Sequence, residues 1–139
     1  MRVLVDTDVI MDYIADREPY AEHAYRIIEL CIIKKITGCI AAHTVTNLFF
    51  ILRKELSIQE RKATLIKLCK VFTVVGIEIT KITAALENDK FSDIEDCLQD
   101  ECARDFHADY IITRNVKDFV GGNVMAIEPI EFLTRFGYQ

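Results

Sequence analysis

The sequence predicts an α/β fold, a parallel sheet sandwiched between layers of helices, and three observations predict it. Strand-like apolar runs alternate with segments of helical periodicity along the chain, the pattern that builds parallel sheets through helical crossovers. The first run, Val3-Leu4-Val5, is apolar without interruption, which fits a strand buried on both faces in the middle of such a sheet. It breaks into Asp6-Thr7-Asp8, so Asp6 ends the strand at the carboxyl edge, where open α/β sheets bind ligands. A plainer role for Asp6 or Asp8 is to cap the next helix, since Asp and Thr are good N-caps. Other acids must decide between the two.

The elements follow in order. After Asp6, residues Val9 to Ile14 continue as a short helix, and the Asp16-Arg17-Glu18-Pro19 turn opens a longer one from about Tyr20 to Ile33. In that helix Tyr20, Ala24, Ile27, Ile28, Cys31 and Ile32 recur at helical spacing, with Glu22, Arg26 and Glu29 on the wet side. Cys39-Ile40-Ala41-Ala42, after Gly38, is a short apolar second strand. His43-Thr44 leads into a helix with Val45, Leu48, Phe49 and Leu52 as its buried stripe, and Thr44 and Asn47 share another flank. Ser57 caps the next helix, with Glu60 in capping-box register, and that helix runs to about Lys70. Val71 to Val75 is a third strand, Thr80 to Asn88 a helix, and Ser92 caps a helix from Asp93 to Phe106. Ala108 to Thr113 is a fourth strand, Arg114 to Phe119 a turn or short helix, and Val124 to Ile127 an edge strand. Pro129 opens a last short helix, a position that suits its missing N–H.

Composition narrows the class. The 139 residues are expected to form one domain, 1–139, with 51% hydrophobic and 28% charged residues, as in ordinary globular proteins. No apolar run approaches the roughly 20 residues a bilayer span needs, and the start of the chain lacks a signal-peptide pattern, so a cytoplasmic location is the default expectation. Five cysteines without a Cys-x-x-Cys pair fit reduced core thiols, and His23, His43 and His107 lack zinc-ligand spacing. A net charge of −5 and a pI near 5.2 argue against nonspecific coating of nucleic acid, while leaving room for a local basic rim around an acidic site.

The acids are where chemistry concentrates. On the helix after Ser92, Asp93, Asp96 and Asp100 are spaced to project from one side, opposite the apolar arc of Ile94, Cys97, Leu98, Cys102 and Phe106. A capping box, Ser92-x-x-Glu95, and the helix dipole account for Asp93 and Glu95 and partly for Asp96. Asp100 they explain poorly, unless it is simply solvated. A further polar cluster, Thr113-Arg114-Asn115-Val116-Lys117-Asp118-Phe119, follows the fourth strand. Asp6 and Thr113 to Asn115 thus lie at strand ends, near which the helix bearing Asp96 could open. Hard oxygen donors at such an edge suit Mg²⁺ or Mn²⁺, which keep several waters and need only a few carboxylates.

Four segments in order, Val3 to Ile10, His43-Thr44-x-x-Asn47, Ser92-Asp93-Ile94-Glu95-Asp96-Cys97-Leu98-Gln99 and Ile111 to Phe119, together resemble the PIN domain family over almost the whole chain. The resemblance implies a three-layer α/β/α PIN-like fold with sheet order 3-2-1-4-5. It also implies a metal-dependent ribonuclease, with the small single-domain members mostly VapC-like toxins of toxin–antitoxin pairs. By this resemblance Asp6 matches the family's first acid, Asp96 its third, and Thr113 the threonine beside the fourth acidic position. Asp93, one turn before Asp96, is an extra acid. Asn47 stands where many members carry glutamate, and Asn115 where many carry aspartate. The pocket is therefore less anionic than a four-acid site, and Asp118 can substitute only in part. Asp8 and Thr44 are auxiliary candidates.

The expected reaction is hydrolysis of RNA phosphodiester bonds. Asp6, Asp96 and Asp93, aided by Asn47 and Asn115, would hold Mg²⁺ or Mn²⁺, which acidifies a water and neutralises charge on the leaving oxygen without any histidine base. Lys34, Lys35, Arg53, Lys54, Arg114 and Lys117 are candidates for RNA backbone contacts, although for most of them a solvated helix end is the preferred reading, Arg114 being the best exception because it lies beside the site. An antitoxin partner and a homodimer are expectations from the family. Two rivals stand beside this reading. One keeps the fold but makes the domain a catalytically weakened RNA- or partner-binding module. The other is a haloacid dehalogenase-type phosphatase, suggested by Asp6-x-Asp8 alone; the remaining motifs do not match, and the chain is short for that fold plus a cap.

Overall fold

The computed structural model describes residues Met1–Gln139. Five parallel strands, β1 (Arg2–Val5), β2 (Thr37–Ala41), β3 (Thr73–Val75), β4 (Tyr110–Ile112) and β5 (Ala126–Ile127), form one sheet in the order β3-β2-β1-β4-β5. The helices between them are α1 (Thr7–Ile14), α2 (Ala21–Ile32), α3 (Ala42–Ile51), α4 (Ile58–Val71), α5 (Ile79–Glu87), α6 (Ile94–Asp105) and α7 (Pro129–Arg135), with single 3-10 turns at Leu52–Lys54 and Val116–Phe119.

The central strand explains the layering. Val3 and Val5 enter the larger core, with Ile10, Ile27, Leu48, Leu68 and Phe132 from α1, α2, α3, α4 and α7. Leu4 points the other way, into a second core with Cys102 and Ala103 of α6 and Phe106 just after it. Successive side chains of a strand alternate faces, so an unbroken apolar run is what two-sided burial requires. Four of the cysteines, Cys31, Cys39, Cys97 and Cys102, are buried free thiols and Cys69 is exposed. Burial pushes the thiols of Cys97 and Cys102 up to about 11, so they remain protonated.

Boundaries differ from the sequence expectation in instructive places. The expected third strand loses Val71, which stays helical at the end of α4, and the fourth and fifth strands are shorter. Ser57 and Glu60 do form the capping box of α4. Ser92, however, does not cap α6: Asp93 is its N-cap, accepting from the backbone N–H of Glu95 at 2.7 Å and of Asp96 at 3.2 Å. A carboxylate one residue later reaches the same orphan donors.

Asp100 also departs from expectation. It is not solvated but fully buried. Its carboxylate accepts from Asn123 N at 3.0 Å, Asn123 Nδ2 at 2.8 Å and Val124 N at 3.0 Å. The turn that delivers those donors needs Gly122, where a Cβ would stand 2.7 Å from Asp100 Oδ1. Asp100→Ala leaves two backbone N–H groups of this turn unpaired. We expect it to lower the unfolding free energy by about 2–4 kcal/mol, read from the midpoint of a urea titration; an unchanged midpoint would show that the turn holds without it.

Candidate active site

Chain order runs outward from β1 in both directions, to β2 and β3 on one side and to β4 and β5 on the other. The crevice at the carboxyl ends of β1 and β4 is therefore the topological switch point of the sheet, where open α/β folds place their ligands. The register pairs Val5 with Ile112, so the next residues, Asp6 and Thr113, emerge side by side.

Asp6 caps α1, one of the two readings the sequence left open. As N-cap of α1 its Oδ1 accepts from Thr7 N at 2.6 Å, and it is also the buried acid of the crevice. Oδ1 takes a second bond from Gln99 Nε2 at 2.7 Å, and Oδ2 accepts from the Thr113 hydroxyl at 2.7 Å. Burial raises the Asp6 carboxyl above its ordinary value, and these three bonds oppose the rise. A hydroxyl has one proton. At 2.7 Å from Asp6 and 3.5 Å from Asp8, Thr113 gives it to Asp6, and its oxygen accepts from Asn115 N at 3.0 Å.

Asp8, in the first turn of α1, accepts at Oδ2 from Arg114 N at 3.2 Å and from Asn115 Nδ2 at 2.8 Å. Asn115 thus presents its amide nitrogen to the site as a donor to an acid. Burial and the neighbouring Asp6 push the Asp8 carboxyl up to about 7. Asp96, in the first turn of α6, is half-buried and takes no hydrogen bond from the protein. Burial first, then Asp93, Asp6, Asp118 and Glu95, push it up to about 7 as well. Asp118 therefore lies within electrostatic reach of Asp96, and Asp93 is engaged as the cap of α6.

The α3 candidates separate. Thr44 is buried against Thr7, with 3.0 Å between their hydroxyl oxygens, while Asn47 donates from Nδ2 to Glu95 Oε2 at 3.2 Å. Asn47 accordingly ties α3 to the first turn of α6. Among the cations, Arg114 does not reach freely into the site. It forms a two-pronged pair with the buried Asp12, at 2.6 and 3.2 Å, and stacks 4.0 Å over the Tyr20 ring. Lys117 is exposed beside Asp118. Lys34 and Lys35 precede Thr37, which pairs with Arg2, so they lie at the opposite edge of the sheet. Arg53 and Lys54 lie at the far end of α3, about 15 Å along a helix of this length.

Gln99, His43, Glu95 and Asp12 are at or beside the site without having been singled out from sequence. Gln99 and His43 were visible only as members of motifs, and Glu95 only as a capping-box partner. Four buried side-chain polar atoms in the protein lack a hydrogen-bond partner: Asp8 Oδ1, both ring nitrogens of His43, and Gln99 Oε1. Gln99 bonds to Asp6, while His43 and Asp8 feel its charge. Burial lowers the His43 pKa, against the pull of Glu95 and Asp6, so the ring is neutral near pH 7.

A cluster of acids this poorly supplied with cations can hold one from outside. No three His, Cys, Asp or Glu side chains converge into a complete metal cage. The acids within electrostatic reach of one another, Asp6 and Asp96 with Asp93, offer only hard oxygens. Together with the orphaned Asp8 oxygen they fit an ion such as Mg²⁺, which is held through one or two carboxylates and completes its shell with water.

The raised carboxyls give a pH prediction. In the unfolded chain Asp96 titrates near 3.8 and in the folded protein near 7. Between those values the folded protein keeps a proton that the unfolded chain has released, so this group's contribution to stability falls as pH rises from about 4 to 7. In metal-free buffer the Tm of Asp96→Asn minus that of wild type is expected to grow across that window. A gap independent of pH would contradict the assignment.

Comparison with known proteins places these features in a family context. Residues 2–117 match the PIN domain family. A toxin–antitoxin complex from Klebsiella pneumoniae superposes with a TM-score of 0.67 at 21% identity, covering 91% of this chain and 97% of the other. VapBC2 from Rickettsia felis, bound to a DNA fragment from its promoter, gives 0.66 at 17% identity over 92% and 98%. FitAcB from Neisseria gonorrhoeae gives 0.64 at 16% identity over 92% and 98%. At these identities the likeness is one of fold. No curated protein matches in sequence.

Proposed function

The chain belongs to the PIN domain family, and from that premise we propose that it is a Mg²⁺- or Mn²⁺-dependent endoribonuclease acting as the toxin of a toxin–antitoxin pair. The observation that carries the reading is Asp6, buried at the switch point, held by uncharged donors only, and within electrostatic reach of Asp96, whose carboxylate takes no hydrogen bond from the protein.

In this reading Asp6 and Asp96 hold the ion, with Asp93 beside them. When bound, the ion supplies Lewis-acid activation of water and neutralises charge on the phosphate. Thr113 fixes the plane of the Asp6 carboxylate. Asn115 and the backbone N–H of Arg114 hold Asp8 at the margin of the site. Asn47 anchors Glu95, keeping the first turn of α6 beside α3. Lys117, exposed after Asn115, is the cation best placed for an RNA phosphate. Arg114, committed to Asp12, shapes the wall next to Tyr20 rather than gripping the substrate. Structural relatives occur in complexes of toxin with antitoxin, and we extend an antitoxin partner to this chain on that likeness; a homodimer belongs to the same reading. No helix is long and apolar enough to cross a membrane, which accords with a cytoplasmic site of action.

One observation favours a second reading. Both departures from the family pattern, Asn47 and Asn115, turn an amide nitrogen toward an acid. Neither adds a negative charge for an ion. A weakened nuclease that binds RNA or a protein partner would have such a site.

The deciding test is cleavage of a mixed RNA pool with added Mg²⁺ or Mn²⁺. Cleavage by the wild type is expected to require metal and to disappear in both Asp6→Asn and Asp96→Asn. Metal-dependent cleavage surviving Asp6→Asn would sink the assignment, and RNA binding without cleavage or metal uptake would favour the binding module. Thr113→Val, which removes a partner of a ligating acid, is expected to lower cleavage about 10–100-fold while Asp6 stays in place. Activity unchanged in that variant would remove Thr113 from the machinery.

A further inference from the structure

Gln99 lies on α6 three residues after Asp96 and is 3% exposed. An amide buried this deeply ordinarily satisfies both its ends. Here Nε2 donates to Asp6 Oδ1 at 2.7 Å while Oε1 has no partner. Turning the amide over would set its oxygen against a carboxylate oxygen, so the bond to Asp6 fixes the orientation. For packing alone, Leu or Met would fill the space without burying an orphan oxygen. What Gln99 adds is a neutral donor aimed at Asp6.

Neutrality matters here. Asp12, the other buried acid of this chain segment, is neutralised by the Arg114 guanidinium. Asp6 receives the Thr7 N–H, the Gln99 amide and the Thr113 hydroxyl, which orient its carboxylate and leave its charge for a cation. The three donors come from α1, α6 and the end of β4. The Gln99 bond also locks α6 against the end of β1, across 93 residues of sequence. Since Gln99 and Asp96 are one turn apart on α6, that lock sets the spacing between the Asp6 and Asp96 carboxylates.

We propose that Gln99 is a positioning residue that holds Asp6 in line with Asp96 and so sets the affinity of the site for a divalent ion. This role rests on the metal-nuclease reading above. It predicts a defect in ion binding by the RNA-free protein rather than in RNA binding.

Calorimetric titration of Mn²⁺ into RNA-free wild type, Gln99→Met and Gln99→Leu tests it. We expect both variants to bind Mn²⁺ about 10–100-fold more weakly, and to lower kcat while leaving KM for RNA within about twofold at a fixed Mn²⁺ concentration. A folded variant that binds Mn²⁺ like the wild type overturns the role of Gln99 alone. A wild type that binds no Mn²⁺ overturns the metal reading and this inference with it.

Should neither variant fold, the wild type provides the answer. It contains three glutamines, Gln59, Gln99 and Gln139, of which Gln59 and Gln139 are exposed. With ¹⁵N-labelled glutamine, substitution of those two assigns the remaining side-chain amide to Gln99. That amide is expected to shift on Mg²⁺ titration while the other two do not; a Gln99 amide indifferent to bound Mg²⁺ overturns the proposal.

Discussion

The Thr113 hydroxyl bonded to the Asp6 carboxylate at 2.7 Å is the contact around which this site is arranged. It joins the residues that follow β1 and β4, two strands that pair in register through Val5 and Ile112. Parallel pairing is what makes the contact available, because it brings both strands to the same edge with the same polarity. The chain reverses its direction of build across the sheet between these strands, so no connecting helix covers the crevice there. Asp6 itself is buried, 6% exposed.

Burying a carboxylate without a cation is costly, and the protein meets the cost with neutral donors. The Asp6 oxygens take three hydrogen bonds, Asp8 takes two, from Arg114 N and Asn115 Nδ2, and Asp96 takes none from the protein. Burial first, and then the neighbouring acids, push the carboxyls of Asp8 and Asp96 up to about 7. Elsewhere buried charge is settled more completely: Asp12 pairs with Arg114, Asp100 closes a turn, and Lys81 bonds to Gly76 O, Glu78 and Asp105. The only buried side-chain polar atoms left unpaired belong to Asp8, His43 and Gln99. Unsatisfied buried polarity is thus concentrated around Asp6, to which Gln99 bonds and whose charge His43 and Asp8 feel.

Much of this was legible in the residues. Val3-Leu4-Val5 announces a central strand because only two-sided burial tolerates an apolar run with no polar alternation, and both of its faces are indeed covered. Ser57-x-x-Glu60 announces a helix start because the capping box is a local device, closed within four residues. The same reasoning misplaced the cap of α6 by one residue, since Ser92 and Asp93 both supply an acceptor and sequence does not say which adopts the cap geometry. Spacing also gave no sign that Asp100 is buried. Helical spacing fixes an angle around the axis but not what stands opposite, and here the Gly121 to Val124 turn stands opposite with three donors.

By itself, then, the sequence determined the alternation of strand and helix, the central place of β1 and the position of Asp6 at its carboxyl end. Each of these follows from periodicities and breaks spanning a few residues. Tertiary structure alone decided the partners: Gln99 for Asp6 across 93 residues, Asn115 for Asp8 across 107, Asp12 for Arg114 across 102, and Glu95 for Asn47 across 48. A hydrogen bond depends on distances of a few tenths of an ångström between groups far apart in the chain, and only the packing of α3 and α6 against the sheet sets those distances.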